Sequence, residues 1–426
     1  MSNSQRGRKK LLEWYQYALS VVDGRRCVRN WLAEDSKFIS PDDIVYCIAT
    51  GKAACAMMQG VVDSTGPDRV NGLVISCEGS LESSLCSMDN IDCLESSHPV
   101  PAQSSLDAGQ TLLRWLGELP ADATVLFLLS GGTSSLVEVL PAGISLDDLV
   151  RANNWLLGSG LAIDQINVIR RCLSAIKGGG LRQAIGQREA TVLMISDVPG
   201  DDPAIVGSGL LYATGQRRPA DLEGLDIPDW LMGLCRQTGL DTAASEDMGR
   251  LPAIPHHCIA GNADARQAIA EIATRQGYRV HQVDGLLEGD AVKQGRDIAL
   301  YLSHAAAGVW IWGGETTVQL PDQPGQGGRN QNLALAAAMG LSGRQGIALL
   351  AAGSDGVDGN TDDAGALIDG WTLASGECDG YSADECLRKA DAGSFLHASG
   401  DLIHVGPTGT NVMDLTIVLI DGENDD

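Results

Sequence analysis

Short apolar, β-branched runs alternate with longer amphipathic stretches along most of the chain. Runs at Ile44–Ala49, Gly72–Cys77, Thr124–Leu129, Thr191–Ser196, Cys258–Ala260, Tyr278–Val283, Val309–Trp312, Ile347–Ala352 and Leu415–Ile420 predict strands. Stretches with helical spacing cover Gln5–Val22, Ala53–Ser64, Ser105–Leu116, Leu146–Leu157, Lys177–Ile185, Ala263–Gln276, Glu288–Ala305 and Asn330–Met339. Strands apolar throughout, separated by helices, signal sheets covered on both faces. The pattern therefore predicts an α/β fold with mostly parallel sheets. No fixed-period repeat is present. Proline-bearing polar stretches at Arg217–Asp229 and Ser245–Pro255 place a boundary near residue 250, dividing the chain into 1–250 and 251–426.

Composition narrows the function. Of 426 residues, 52 are Gly and only 3 are Phe, so many tight turns are expected. A net charge of −25 disfavours a nucleic-acid backbone or an anionic membrane as partner, though not a local basic pocket for a small anion. The eleven cysteines show no C-x-x-C pair, which fits a reducing compartment. Glu13 and Gln16 interrupt the apolar residues after the basic start, so no signal peptide is expected. No apolar run reaches the roughly 18 residues of a membrane helix. A cytoplasmic protein follows, with a homodimer among the states the sequence allows.

Ligands of open α/β sheets bind where strands end in glycine turns, and four such turns stand out. Gly51-Lys52 ends the first run and opens a small-residue helix. A lysine there opposes the helix dipole, so Lys52 either points into solvent or joins the free N–H groups in holding an anion. The loop Ser130, Gly131, Gly132, Thr133 and Ser134 reads equally as an ordinary turn or as a phosphate cradle of exposed N–H groups. It lacks the P-loop spacing and lysine. Three later runs end near acidic residues, Asp197, Glu315 and Asp355. One such residue is usually a cap; three suggest a hard oxygen site, favouring Mg²⁺ over zinc. The fourth turn, Gly327-Gly328-Arg329-Asn330, puts a guanidinium at a helix start, suited to a carboxylate or phosphate.

His98 reads better as a structural turn residue than as a ligand. Arg170, Arg171 and Lys177 either line a polyanion pocket or form a charged helix face. No H-E-x-x-H or G-x-S-x-G motif occurs, and the first turn lacks the G-x-G-x-x-G spacing of a dinucleotide enzyme.

Taken together these pieces resemble the bacterial glycerate 2-kinase family, also called the MOFRL family. The matching stretches include Ser97-His98-Pro99-Val100-Pro101, Ser196-Asp197-Val198-Pro199-Gly200-Asp201-Asp202, Gly313-Gly314-Glu315-Thr316-Thr317, Gly327-Gly328-Arg329-Asn330-Gln331 and Ser354-Asp355-Gly356-Val357-Asp358-Gly359. They run in one order across most of the chain. The resemblance implies two Rossmann-like domains with the site in the cleft between them. It also implies ATP-dependent phosphorylation of D-glycerate to 2-phosphoglycerate, with Mg²⁺. Thr133, Cys172 and Gly180 depart from the family's usual glycine, histidine and arginine, which bears on the exact acceptor among glycerate and related short hydroxy acids.

On this reading Arg329 clamps the substrate carboxylate or the phosphoryl group, and Lys52 neutralises charge on the γ-phosphate. Asp197 holds Mg²⁺ with Glu315 as helper, and Asp355 takes the hydroxyl proton. The Ser130–Ser134 loop and Asn330 serve the nucleotide. Two other readings are an NAD(P)H-dependent hydroxypyruvate reductase and a non-catalytic sugar-acid-binding protein on the same scaffold.

Overall fold

The structure is a computed structural model that describes residues 3–34, 43–159, 161, 163–212, 222, 224–238 and 251–422. The boundary expected near residue 250, and parts of the two polar stretches flanking it, lie outside the described residues. Contacts divide the chain into Gly24–Ile259 and a second unit made of Ala260–Asp426 with Met1–Asp23. The expected division grouped the first residues with the N-terminal domain; the structure groups them with the C-terminal one. Burial explains this. The helix Asn3–Val21 carries Leu11, Trp14, Tyr15 and Ala18, all fully buried. The Tyr15 hydroxyl donates to the Gly353 carbonyl at 2.6 Å, and Arg8 pairs with Asp401 at 2.7 Å.

In Gly24–Ile259 the strands are β1 (Val45–Thr50), β2 (Val70–Cys77), β3 (Ile91–Ser96), β4 (Val125–Leu129), β5 (Ala190–Ile195) and β6 (His256–Ala260). They lie in the order β3-β2-β1-β4-β5-β6. The β3–β2, β2–β1, β1–β4 and β4–β5 pairs are all parallel. β4 and β5 are buried along their whole length, as continuous apolar runs require. Phe127 and Val192 pack with Leu112 and Leu116 of the helix Gln103–Glu118. The order reverses between β1 and β4, and such reversals open a crevice at the carboxyl ends of the strands. β3 escapes the apolar pattern because its residues Ile-Asp-Cys-Leu-Glu-Ser are half polar, which suits its place at the edge of the sheet. The expected helix Lys177–Ile185 shrinks to Arg182–Ile185, because Gly178 (φ 59°) and Gly179 (φ 84°) turn the chain first.

The second unit holds β7 (Val280–Gln282), β8 (Leu287–Asp290), β9 (Gly308–Thr317), β10 (Ile347–Gly353), β11 (Gly365–Asp369), β12 (Leu402–Ile403) and β13 (Asp414–Ile420). Their order is β12-β11-β10-β13-β9-β7, with β8 also on β9. This sheet is mixed rather than mostly parallel. β9–β13, β13–β10, β10–β11 and β11–β12 are antiparallel, whereas β7 and β8 run parallel to β9. The apolar pattern misleads here because these strands are also covered on both faces. Trp310, Trp312, Leu349 and Val418 pack with Leu302 and with Leu333, Leu335 and Leu341 of the helix Arg329–Leu341.

Candidate active site

β1 and β4 end side by side, with Thr50 opposite Leu129, and their turns are laced together. The Lys52 N–H donates to the Gly131 carbonyl at 2.9 Å, and the Ala53 N–H to Ser130 Oγ at 3.0 Å. Thr133 Oγ1 donates to the carbonyls of Thr50 (2.9 Å) and Ser130 (2.8 Å). Gly51 has φ 116°, and a Cβ there would lie 2.2 Å from Ser130 Oγ, so only glycine admits this contact. The Ser130 and Thr133 hydroxyls are therefore turned inward as structural stitches. Among the described residues the N–H groups of Gly131 and Gly132 have no acceptor within the chain. Gly132 is left-handed (φ 88°, ψ −18°), a conformation found where successive backbone N–H groups bind anions.

Side chains gather around that turn. A Cβ on Gly132 would meet the His98 ring at 3.2 Å and Lys52 Cγ at 3.4 Å. The Lys52 side chain thus passes beside the turn. His98, read from sequence as a turn residue in the stretch Ser97-His98-Pro99-Val100-Pro101, flanks it as well. Ser134 Oγ is 2.9 Å from Ser208 Oγ, which donates to Asn167 Oδ1 at 3.1 Å. Ser208 is itself left-handed (φ 58°) between Gly207 and Gly209, a strained setting for a side-chain-bearing residue. Asp197 lies just past β5, whose Met194 pairs with Leu129 of β4. The residue therefore follows β5 at the same sheet rim as the loop.

In the second unit Arg329 is the first residue of the helix Arg329–Leu341. The helix start is already filled by a carboxylate. Asp358 accepts the N–H groups of Asn330 (3.1 Å) and Gln331 (2.8 Å) and the Asn330 side-chain amide (3.3 Å). Asn330, expected beside the nucleotide, thus donates to Asp358 through both its backbone and its side chain. A Cβ on Gly328 would lie 2.3 Å from Asp358, so glycine at that position is what lets the carboxylate in. Burial, with the Asp414 charge adding to it, pushes the Asp358 carboxyl up to about 7.

Arg329 is held on two sides. Its Nε and Nη2 donate to the two oxygens of Asp414 at 2.5 and 2.9 Å, and Nη1 lies 2.6 Å from Glu315 Oε1. Burial opposes the charge of the guanidinium, but Asp414 and Glu315 outweigh it and raise the group above its ordinary value. The two partners differ in setting: the Asp414 side chain is 8% exposed and that of Glu315 45%. Exposed pairs are worth about 0–1 kcal/mol, whereas stripping one partner from a buried pair costs about 3–5 kcal/mol. Asp355 follows β10 and accepts the Val357 N–H at 3.1 Å. A Cβ on Gly353 would lie 3.0 Å from Asp355 Oδ1 and 3.5 Å from Asp414 Oδ1, which brings the two carboxylates to one corner. Asp414 escaped the sequence reading because it opens an apolar strand and lies outside any glycine turn.

With this geometry described, similarity to other proteins becomes informative. A model of the MOFRL family matches residues 308–414, and one described as a domain of unknown function, DUF4147, matches residues 10–223. A glycerate 2-kinase of Pyrococcus horikoshii is 33% identical over 95% of each chain. A putative hydroxypyruvate reductase of Agrobacterium vitis is 34% identical over 98% of this chain and 95% of its own. The crystal structure of glycerate kinase from Thermotoga maritima superposes with a TM-score of 0.81 and 31% identity, covering 97% of this chain and 99% of that one.

The chain belongs to the MOFRL family of glycerate 2-kinases. The Pyrococcus relative shows that this family extends beyond bacteria.

One expectation changes for this family member. Lys177 neither lines a pocket nor sits on a helix face. It is 2% exposed and ion-paired with Glu138, which also accepts from Ser174 Oγ at 2.5 Å. Burial lowers the Lys177 amine from its ordinary value against the pull of Glu138. Arg171 is also buried and donates to the Ala204 carbonyl at 2.7 Å. Among the described residues no group of three or more His, Cys, Asp or Glu is placed to hold an ion. Glu315 reaches Arg329 at 2.6 Å. A lone carboxylate still suits Mg²⁺, which takes one or two protein oxygens and fills its octahedron with water and phosphate.

Proposed function

We propose that this chain is an ATP-dependent glycerate 2-kinase that transfers the γ-phosphoryl group to the 2-hydroxyl of D-glycerate, giving 2-phosphoglycerate and ADP. The carrying observation is the Gly131–Gly132 turn, with its two N–H donors and Lys52 beside them at the point where the strand order reverses. Phosphoryl transfer asks for positioning and charge neutralisation more than for covalent chemistry. In this proposal the turn binds phosphate oxygens, and Lys52 neutralises charge on the γ-phosphate. His98 flanks the same turn. Arg329 receives the substrate carboxylate or the phosphoryl oxygens, and Asp355 accepts the proton of the 2-hydroxyl. Asp197 is the carboxylate assigned to Mg²⁺, which when bound neutralises the nucleotide phosphates. A cytoplasmic setting is proposed from the sequence, whose cysteines form no C-x-x-C pair.

The reductase reading gains from one observation: the β3-β2-β1-β4-β5-β6 order is that of dinucleotide-binding folds. The β1 turn argues against it, because Gly51-Lys52-Ala53-Ala54 lacks the glycines through which a pyrophosphate is approached. An ADP-release assay with D-glycerate tests the kinase directly. Turnover should depend on both substrates and fall at least about a hundredfold in Lys52→Ala, the scale of removing one transition-state charge partner. Wild-type turnover in that variant overturns the assignment.

A further inference from the structure

We infer that Glu315 is an exchangeable stand-in anion on Arg329, displaced from Nη1 when an anionic substrate binds, while Asp414 stays as the fixed anchor. The inference rests on the reading of Arg329 as the clamp for substrate anions.

The two carboxylates divide the guanidinium between them. Asp414 takes Nε and Nη2 as a two-point fork, which fixes the plane of the group and leaves Nη1 on the opposite side. Glu315 fills that position at 2.6 Å. Asp414 is fixed by its backbone as well as by its burial. It opens β13, pairs with Gly314 of β9, and its carbonyl accepts from Asn262 Nδ2 at 3.1 Å. Its short side chain has no alternative reach, and leaving Arg329 would strand a buried charge.

Glu315 has the opposite properties. It sits near the end of β9, its side chain is nearly half exposed, and its longer arm can swing into water. Its register partner on the parallel strand β8 is Glu288, a second carboxylate, and like charges side by side weaken the hold of each. An incoming carboxylate or phosphoryl oxygen therefore meets a guanidinium already aimed by Asp414, with Nη1 covered by a half-exposed anion. Only another anion replaces what Glu315 supplied, so the exchange favours charged acceptors over neutral polyols. Asp414 is a positioning residue in this scheme, and Glu315 sets specificity.

The test is calorimetric titration of the full chain with D-glycerate, and separately with glycerol, in the absence of nucleotide. Wild type, Glu315→Gln and Arg329→Gln are compared, with folding checked by circular dichroism. Removing the competing charge should tighten glycerate binding about two- to fivefold, the scale of one exposed ion pair, and leave glycerol unaffected. Arg329→Gln should abolish glycerate binding; if that variant does not fold, Arg329→Lys replaces it and should weaken binding by losing the fork. Unchanged or weaker glycerate binding in Glu315→Gln, with binding still dependent on Arg329, overturns the stand-in role alone. Wild-type binding in the Arg329 variant overturns the clamp reading, and the inference with it.

Discussion

Asp358 caps the helix that Arg329 begins, accepting the Gln331 N–H at 2.8 Å from a site where it is itself only 2% exposed. A carboxylate at a helix N-terminus gains from the dipole and the free donors, yet burial and the Asp414 charge hold its pKa near 7. The folded protein thus retains a proton that the unfolded chain releases near pH 4.

That retention fixes a sign. Between pH 4 and about 7 the folded state binds more protons at Asp358 than the unfolded state does, so stability falls as pH rises through this window, and the effect levels off above it. The slope from one group is at most about 1.4 kcal/mol per pH unit. Urea unfolding of wild type and Asp358→Asn across pH 4–8 measures it. The difference between the two should show this slope, and parallel curves would count against it.

Gly132 couples backbone conformation to the anion cradle. Gly132→Ala places a methyl group against His98 and Lys52 at a left-handed φ. A stability loss of about 1–2 kcal/mol is expected from the backbone alone. ATP affinity should fall more than tenfold while circular dichroism stays native. A variant that binds ATP like wild type would show that the turn does not touch phosphate.

The Lys177–Glu138 pair should behave as a buried pair, with side chains 3% and 0% exposed. Lys177→Met strands the carboxylate and should cost about 3–5 kcal/mol in denaturant unfolding. The double variant Lys177→Met/Glu138→Leu should recover much of that loss, because no unpaired charge remains. If the double variant is as unstable as the sum of the singles, the two groups are not coupled.

Arg329 relies on Asp414 for its direction. Asp414→Asn keeps the size of the side chain but replaces one accepting oxygen with a donor facing the guanidinium. kcat/KM for D-glycerate should fall by more than tenfold, with KM carrying most of the change. An effect confined to thermal stability would assign Asp414 a structural role only.

The sequence made the first sheet legible because its strands are parallel, buried on both faces and apolar throughout, as β4 and β5 show. The same signature concealed the antiparallel pairing of β10 with β13, since period and composition do not encode strand direction. The Lys52 turn was readable for a local reason: a lysine at a helix start is anomalous wherever it occurs. Asp358 and Asp414 were not. The bonds of Asp414 to Arg329 span 85 residues, and that separation leaves no trace in any window of sequence. Tyr15 bonding to Gly353 is the extreme case, a contact across 338 residues that moves the first helix from one unit to the other. Arg329 and Glu315 were both singled out, but their pairing, and the part Asp414 takes in it, appear only in the fold.

Phosphorus NMR of the product tells kinase from reductase and one hydroxyl from the other. Purified protein with ATP, Mg²⁺ and D-glycerate should yield ADP and a phosphomonoester whose phosphorus couples to the single proton on C2, the pattern of 2-phosphoglycerate. Coupling to the two C3 protons would place the phosphoryl group on the wrong hydroxyl. NAD(P)H consumption with hydroxypyruvate, without any ADP formed from glycerate, would contradict the kinase account altogether.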